Sequence, residues 1–337
     1  MGKPPAKDMQ MWGLVGHGWA VEMLQQHIAR DSVRHAYLFT GPPGVGRRSL
    51  ALRFAQALNC TRPPKPGLAC NTCRECKQIE RMQHTDLFVV QSETEGEALK
   101  VEQIRELQRS LALAAYQSRF RIALLLRFHE ATDSAANALL KTLEEALPHV
   151  ILLLTADSAE QLLPTIVSRC EVMRLRPLPV KSVEEHLLAL GAEKGPASLL
   201  AHLSGGRPGH ARRLLDDAQA LELRSGWLDE LQALMGSTRI ARFACAEKMA
   251  GNRDVFRQIL LTWLSYWRDV LLKSSGAATP VANVDRAEEI TILASRLGLP
   301  NAKRLVSAYE NALDLLGKSV NARLLAEVLL LDLPQKP

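Results

Sequence analysis

The segment of residues 41–49 constrains the fold of this chain more than any other, because it is almost a phosphate-binding loop. It reads Gly-Pro-Pro-Gly-Val-Gly-Arg-Arg-Ser, after an apolar run at 36–40 and before a helical pattern that ends at Leu58. In such a strand–loop–helix unit, glycines let backbone N–H groups and the helix N-terminus surround a phosphate. The sequence therefore predicts an α/β domain of the P-loop type.

Two side chains of a working nucleotide site are missing from this loop. After Gly46 the pattern asks for Lys and then Ser or Thr, and this chain has Arg47 and Arg48. Lysine reaches the β- and γ-phosphates as a compact point charge, which a planar guanidinium does not reproduce. Only a slipped loop could offer the hydroxyl of Ser49 to Mg²⁺. The residues of this degenerate P-loop, from which we expect no ATP hydrolysis, are Gly41, Gly44, Gly46, Arg47, Arg48 and Ser49.

Short apolar runs alternate with helical stretches up to Leu175, which predicts a parallel sheet wrapped by helices. An uninterrupted apolar run such as 151–154 suits a sheet that is buried on both faces. The predicted strands are 36–40, 87–90, 122–126, 151–155 and 172–175. The predicted helices between them are 49–58, 101–113, 135–147 and 160–166.

Pro177 and Pro179 end this alternation, and the remainder has helical periodicity. We therefore predict an α/β domain over 1–177, a small helical domain over 178–238 and an all-helical domain over 239–337. Predicted helices are 183–190, 198–203 and 211–223 in the second domain, and 241–249, 255–273, 286–297, 302–316 and 322–331 in the third. Trp263, Tyr266 and Trp267 lie on one helix face, which indicates core or subunit packing.

The composition is that of a globular chain in which no basic tract is present. The 337 residues carry a net charge of +6 with the basic residues dispersed, which permits contact with nucleic acid without requiring it. No apolar run approaches the length that crosses a membrane, and no N-terminal apolar h-region appears. We therefore expect a cytoplasmic protein.

Four of the six cysteines form a metal-binding pattern. Cys60, Cys70, Cys73 and Cys76 have the spacing C-x9-C-x2-C-x2-C. Four thiolates at such spacing complete a tetrahedral structural zinc site with no position open for catalysis. An iron–sulfur cluster uses similar ligands, and disulfides are disfavoured in a reducing cytosol. We expect one structural zinc ion per chain, with the neighbouring His84 as a loop residue outside the site.

The third predicted strand lacks the acidic pair of a P-loop ATPase. One carboxylate of such a pair holds Mg²⁺ and the other activates water. Leu126 and Arg127 stand where Asp and Glu are expected, and Glu130 lies too far along the chain to substitute easily.

The run Asn-Ala-Leu-Leu-Lys-Thr-Leu-Glu-Glu at 137–145 is followed, after one more strand, by Ser168-Arg169-Cys170. Together with the four-cysteine insert, these motifs resemble the clamp-loader branch of the AAA+ family, as found in bacterial DNA polymerase III. The resemblance covers residues 12–215 strongly. It implies a AAA+ α/β domain, a helical lid domain and an oligomerising collar domain.

Departures from the family pattern distinguish its two kinds of paralogue. An active γ/τ-type subunit would carry Gly-Lys-Thr at 46–48 and Asp-Glu at 126–127, and this chain carries neither. The family's sensor arginine aligns with Gly209, although Arg207 lies two residues earlier. These losses are typical of the delta-prime type of subunit, which is an accessory part of the polymerase complex.

The resemblance also implies partners and a role for Arg169. It implies a five-subunit arc in which γ/τ subunits hydrolyse ATP, delta-prime is a rigid end subunit and delta opens the sliding clamp. Sliding clamp and primer-template DNA would be contacted through this complex. Arg169, flanked by Ser168 and Cys170, would act in trans as an arginine finger on a neighbouring γ/τ site.

Other interpretations remain open on the residues alone. The triplet at 168–170 could be a capped turn in which Arg169 pairs locally, with Cys170 as a small apolar residue. The chain could be an active ATPase of the γ/τ type that uses its arginines in an unorthodox way. It could also be a zinc-containing module that binds DNA alone, although its modest net charge argues against that function.

Overall fold

The computed structural model describes residues 12–92, 97–112, 118–145, 147–318 and 320–335, without the side chain of Ala218. The chain divides into two compact units. The first contains the described residues up to His186 together with Gly206–His210, and the second contains Leu187–Gly205 and the described residues from Ala211 onward. The three-domain division stays a prediction, because its second boundary falls inside the second unit.

The first unit is built on a five-stranded parallel sheet with the strand order β2-β3-β4-β1-β5. Tyr37 of β1 lies opposite Leu153 of β4 on one side and opposite Glu171 of β5 on the other. Every residue of the three central strands is buried, as expected of a sheet covered on both faces. The strands are β1 Ala36–Thr40, β2 Leu87–Val90, β3 Arg121–Leu125, β4 Val150–Ala156 and β5 Glu171–Arg174.

Helices cover both faces of this sheet, because successive strand residues point to opposite sides. Phe39 enters an apolar core with Phe54 of α2, whereas Leu38 enters a second core with Leu139 of α5. The chain leaves β1 and its neighbour β4 towards opposite faces, so the loop after β1 lies at a topological switch point. These helices are α1 Gly18–Ala29, α2 Arg47–Asn59, α3 Arg74–Glu80, α4 Val101–Leu111, α5 Asp133–Glu144 and α6 Pro164–Val167.

The rest of the described chain is helical. Trp263 and Trp267 of α12 are buried against Tyr309 of α13, which confirms the predicted core face. These helices are α7 Val180–Ala189, α8 Lys194–Leu203, α9 Pro208–Asp216, α10 Ala218–Met235, α11 Arg239–Ala250, α12 Arg253–Ser274, α13 Ala287–Leu316 and α14 Ala322–Leu331. Over the described ranges, no helix has both the length and the apolar character needed to span a bilayer.

The predicted parallel α/β fold with a helical C-terminal part is confirmed, and two predicted helices are wrong. Residues 160–166 do not form one helix, because Pro164 lacks an N–H and disfavours helical backbone in the residue before it. Residues 211–223 are divided at Asp217, whose side chain caps α10 by accepting the N–H of Ala220. The predicted break in α13 lies at Gly298, where φ is 69°.

Candidate functional site

The loop of residues 41–46 joins the C-terminal end of β1 to α2 and keeps the glycine frame of a P-loop. Its three glycines have positive φ angles, 143° at Gly41, 83° at Gly44 and 117° at Gly46. Residues with a Cβ atom rarely adopt this backbone conformation. A Cβ atom at Gly41 would also lie 2.4 Å from the carbonyl oxygen of Leu175, so the close approach of these two segments requires glycine.

Arg47 begins α2 and lies where the phosphate-binding lysine of the motif would stand. Its side chain is only 10% exposed, and its Nη1 lies 2.7 Å from Oδ1 of Asp157. Asp157 follows β4, and its carbonyl oxygen accepts the N–H of Gly41 at 3.1 Å. The guanidinium of Arg47 in the degenerate P-loop is therefore already neutralised by a carboxylate of its own chain. Arg48 and Ser49, by contrast, are exposed on α2.

Two histidines lie beside the Arg47–Asp157 ion pair and the loop of residues 41–46. Nε2 of His129 lies 3.8 Å from the same carboxylate oxygen of Asp157. Nε2 of His17, at the start of α1, lies 3.0 Å from the carbonyl oxygen of Val45 inside the loop. Burial lowers the pKa of His17, so at pH 7 its ring is neutral and donates to this carbonyl. The loop is thereby attached to α1 as well as to the sheet.

The turn of residues 206–210 packs directly against the loop. The N–H of Gly209 donates to the carbonyl oxygen of Gly44 at 2.9 Å. A Cβ atom at position 209 would lie 3.0 Å from that oxygen, and one at position 44 would lie 2.9 Å from the backbone nitrogen of His210. Gly209, the residue aligned with the family's sensor arginine, thus serves here as a point of close backbone contact.

The end of β3 carries an arginine–glutamate pair in place of two carboxylates. Leu126 is buried, and Arg127 has a left-handed backbone with φ 49°. Nε of Arg127 lies 3.1 and 3.0 Å from the two carboxylate oxygens of Glu130, and its Nη2 donates to Oγ of Ser92 at 2.9 Å. Arg127 therefore neutralises the carboxylate of Glu130. Both carboxylate oxygens face the guanidinium, whereas a Mg²⁺ ligand would direct an oxygen at the metal ion.

We expect Asp157→Asn to destabilise the first unit and to make it responsive to phosphate. The substitution leaves a largely buried Arg47 without its anion, at a cost of about 1–3 kcal/mol, or a melting temperature lowered by about 3–8 °C. Inorganic phosphate should restore part of this loss, because it can replace the carboxylate and bind only the folded state. Thermal melts with and without phosphate measure both effects.

The matched control for this prediction is Asp31→Asn, which breaks an exposed ion pair with Arg119. It should change stability little, since exposed pairs contribute about 0–1 kcal/mol. An unchanged melting temperature in Asp157→Asn, or equal stabilisation of all variants by phosphate, would contradict the prediction.

Arg169 lies after α6 at the surface of the first unit, with its side chain 34% exposed. Its Nη1 donates to the carbonyl oxygen of Thr165 at 2.7 Å, and its Nη2 lies 2.8 Å from Oε1 of Glu144. Ser168 donates its hydroxyl to the same carbonyl of Thr165 at 3.2 Å. Burial raises the pKa of the Cys170 thiol to about 12, so this thiol is neutral at pH 7.

The four cysteines of the insert lie close enough to bind one metal ion. Their sulfur atoms are all within 4.8 Å of one another. Cys60 directly follows α2, Cys73 is the N-cap of α3, and Cys76 lies in the first turn of α3. Backbone N–H groups of residues 70, 73 and 76 point at the sulfurs of the preceding cysteines at 3.3–3.4 Å, which favours thiolates as ligands. A four-sulfur set is the donor chemistry of structural zinc.

The cysteine insert is attached to the segment before α1 and to α2 by hydrogen bonds between buried groups. Nε1 of Trp12 donates to the carbonyl oxygen of Gly67 at 2.9 Å, and Nε2 of Gln56 donates to that of Cys76 at 2.7 Å. His84 lies in the loop between α3 and β2, as predicted, and its side chain is buried, with Nδ1 accepting the N–H of Asp86 at 3.0 Å. The imidazole thus belongs to a structural network and not to the four-sulfur set.

We expect about one zinc ion per chain in protein purified without chelator, and none in Cys73→Ser. Losing one of four thiolates opens the site and typically weakens structural zinc binding strongly. Elemental analysis by plasma mass spectrometry gives the metal and its stoichiometry. Cys245→Ser, which replaces a half-buried thiol of the second unit, is the control and should keep its zinc. A metal-free original chain, or iron in place of zinc, would contradict the prediction.

The sequence did not predict which residues pair with Arg47, Arg127 and Arg169. Asp157 could have been suspected, because an acidic residue directly after β4 meets the loop after the adjacent β1 at the same edge of the sheet. The pairing of Arg127 with Glu130 depends on a turn of three residues, Phe128–Glu130, that follows β3. The pairing of Arg169 with Glu144 joins two motifs whose direct contact the sequence does not indicate.

Comparison with known proteins supports the family resemblance. Residues 16–179 match the family model described as DNA polymerase III, delta subunit. This region of the chain is therefore similar to that family. The match contains the degenerate loop, the cysteine insert and Arg169, so the resemblance inferred from these motifs is confirmed.

The proteins to which this chain is similar include two kinds of DNA polymerase III subunit. The chain is 37% identical to the delta-prime subunit of Pseudomonas aeruginosa over 199 residues, which is 58% of this chain and 60% of the relative. It is 33% identical to the delta-prime subunit of Bacillus subtilis, over 55% of each chain. It is also 33% identical to the tau subunit of Escherichia coli, over 66% of this chain and 36% of that one.

Length coverage limits what these relatives establish. The chain spans about 60% or less of the length of these three curated relatives. A solved gamma subunit-related protein of Thermotoga maritima aligns with 92% of this chain and 97% of its own, at 18% identity and a TM-score of 0.44. These partial matches therefore do not by themselves establish the activity or the partners of the whole chain.

Proposed function

We propose that this chain is a delta-prime-type subunit of a DNA polymerase III clamp loader. In this proposal it hydrolyses no ATP itself and supplies Arg169 as an arginine finger to a neighbouring γ/τ-type ATPase site. It works in the cytoplasm with γ/τ- and delta-type subunits, and it meets the sliding clamp and primer-template DNA through the complex.

The observation that carries the non-hydrolysing role is the ion pair between Arg47 and Asp157. A P-loop ATPase needs a cation free for phosphate, a hydroxyl for Mg²⁺ and carboxylates at the end of β3. Here the cation is neutralised at 2.7 Å by Asp157, and the carboxylate of Glu130 is bound by Arg127. An active ATPase of the γ/τ type would have to break both pairs before Mg²⁺ and nucleotide could be held.

The position of Arg169 supports its role in trans. Its guanidinium is partly exposed after α6. Arg169 precedes β5, whereas the loop of residues 41–46 follows the parallel strand β1, so the two lie at opposite edges of the sheet. A planar fork of this kind can bind two phosphate oxygens at once and stabilises the charge that develops during phosphoryl transfer. An arginine that cannot serve its own loop can serve a loop on an adjoining subunit.

We further propose that Cys60, Cys70, Cys73 and Cys76 hold one structural zinc ion, that residues 178–238 act as a lid domain and that residues 239–337 form an oligomerising collar. A closed four-sulfur site stabilises a fold and leaves no open position for chemistry. The zinc ion is expected to fix the insert between α2 and α3.

Reconstitution tests this proposal. The chain is co-expressed with γ/τ- and delta-type subunits, and the mixture is sized and assayed for clamp loading on primed DNA. We expect a stable complex that loads clamps only when this chain is included. Failure to enter the complex, or full loading without it, would contradict the proposal. Tight binding of primed DNA by the chain alone would favour an independent DNA-binding module instead.

A further inference from the structure

The contact between Arg169 and Glu144 is the feature that the proposed function leaves unexplained. Nη2 of the arginine lies 2.8 Å from Oε1 of the glutamate, and Nη1 donates to the carbonyl of Thr165 at 2.7 Å. Glu144 is the last residue of α5, so the cation also lies by the negative end of that helix dipole. The guanidinium is thus bound on two sides within its own chain.

We propose that Glu144 is a positioning residue that holds Arg169 in a resting state, from which the arginine is released when a neighbouring subunit presents a nucleoside triphosphate. The inference rests on the proposed function, because it presumes that Arg169 serves the neighbouring site. It adds that the carboxylate of Glu144 and the terminal phosphate of the partner's nucleotide compete for the same guanidinium.

Charge explains the competition. A carboxylate at 2.8 Å neutralises most of the field that a phosphate would experience from Arg169. A terminal phosphate carries more negative charge than the carboxylate and offers several oxygens in a geometry that matches the guanidinium fork. The phosphate therefore replaces Glu144 once the two subunits bring it within reach.

The exposure of the pair makes the exchange feasible. The side chain of Glu144 is 53% exposed and that of Arg169 is 34% exposed, so water can solvate the carboxylate as soon as it is released. Ion pairs at such positions shift equilibria by no more than about fivefold. A holding contact of this strength keeps the arginine in place in the free subunit without blocking the assembled site.

Position 145 provides a matched control. Glu145 is the next residue, is also exposed, and has no ion-pair partner within the described part of the chain. Glu144→Gln and Glu145→Gln each remove one negative charge from the same helix end and keep the side-chain shape. A difference between these two variants therefore reports the contact with Arg169 rather than a general change in surface charge.

The test measures ATP hydrolysis by the reconstituted complex as a function of ATP concentration, for the original chain, both glutamine variants, Arg169→Ala and the double variant Glu144→Gln/Arg169→Ala. We expect Glu144→Gln to lower the KM for ATP by about two- to fivefold at the site that this chain serves, and the KM of the whole complex by less, with kcat unchanged. Glu145→Gln should match the original chain. The double variant should match Arg169→Ala, because without the arginine there is nothing to release.

Each other outcome has a definite meaning. A rise in KM or a fall in kcat in Glu144→Gln would show that the glutamate orients Arg169 for catalysis, which overturns the holding role. Equal kinetics in Glu144→Gln and the original chain, or the same shift in both glutamine variants, would also overturn it. If Arg169→Ala itself leaves the kinetics unchanged, the arginine finger and hence the proposed function fail, which is a separate result.

Discussion

Replacing Arg169 with alanine should sharply reduce the DNA- and clamp-stimulated ATPase of the reconstituted complex. An arginine supplied in trans accelerates phosphoryl transfer by about 10³–10⁵-fold at the site that it serves. The total rate should fall by less than this, because the other interfaces of the complex keep their own arginines. Steady-state phosphate release and clamp loading measure the loss.

Two variants show whether the loss comes from the guanidinium fork. Arg169→Lys should recover little activity, because a point charge cannot span two phosphate oxygens. Arg174→Ala removes another exposed arginine, which pairs with Glu160 at 3.6 Å, and should leave the ATPase unchanged. Zinc content, melting temperature and complex size should be the same for all variants. Hydrolysis at the original rate by a normally assembled Arg169→Ala complex would show that the residue is only structural.

Arg242→Ala should destabilise the helical second unit more than any exposed substitution. Arg242 is buried, with its Nε 3.1 Å from the carbonyl oxygen of Leu234 at the end of α10. Its Nη1 donates to the carbonyls of Leu330 and Leu333, at 3.0 and 3.1 Å, near the end of α14. The guanidinium thus donates to terminal carbonyls of two helices at once. Its positive charge also interacts favourably with the negative ends of both helix dipoles.

Removing this side chain leaves several buried carbonyls without a donor. We expect a loss of about 3–5 kcal/mol, which corresponds to a melting temperature lowered by roughly 10 °C. Circular dichroism melts of the full chain measure it. Arg239→Ala, an exposed arginine one turn earlier on α11, should have almost no effect. Equal melting temperatures for the two variants would contradict this role of Arg242.

The fold was largely predictable because its signals are local. Mostly apolar runs of four or five residues mark the strands, and all five predicted strands agree with the structure to within one residue at each end. The errors arose where a single residue overrides the periodicity. Pro164 interrupts an otherwise helical pattern, and Asp217 caps a new helix in the middle of another. The short helix α3 escaped notice, since it is defined by its cysteines rather than by an apolar stripe.

The candidate site was predictable in its parts and not in its pairings. The glycines of the loop and the four cysteines follow from spacing, because both motifs lie within one short segment of chain. The partners of Arg47 and Arg169 are separated from them by 110 and 25 positions in sequence. Such pairs depend on how strands and helix ends are arranged in the first unit. No local sequence pattern specifies this arrangement.

The most direct test of the central claim is ATP turnover by the isolated chain, with zinc present and Mg²⁺ in excess. We predict no phosphate release above the blank for the original chain. Arg47→Lys should behave in the same way, because the acidic pair expected at 126–127 would still be missing. Turnover by the original chain that disappears in Arg47→Ala would contradict the claim and identify the chain as an active ATPase.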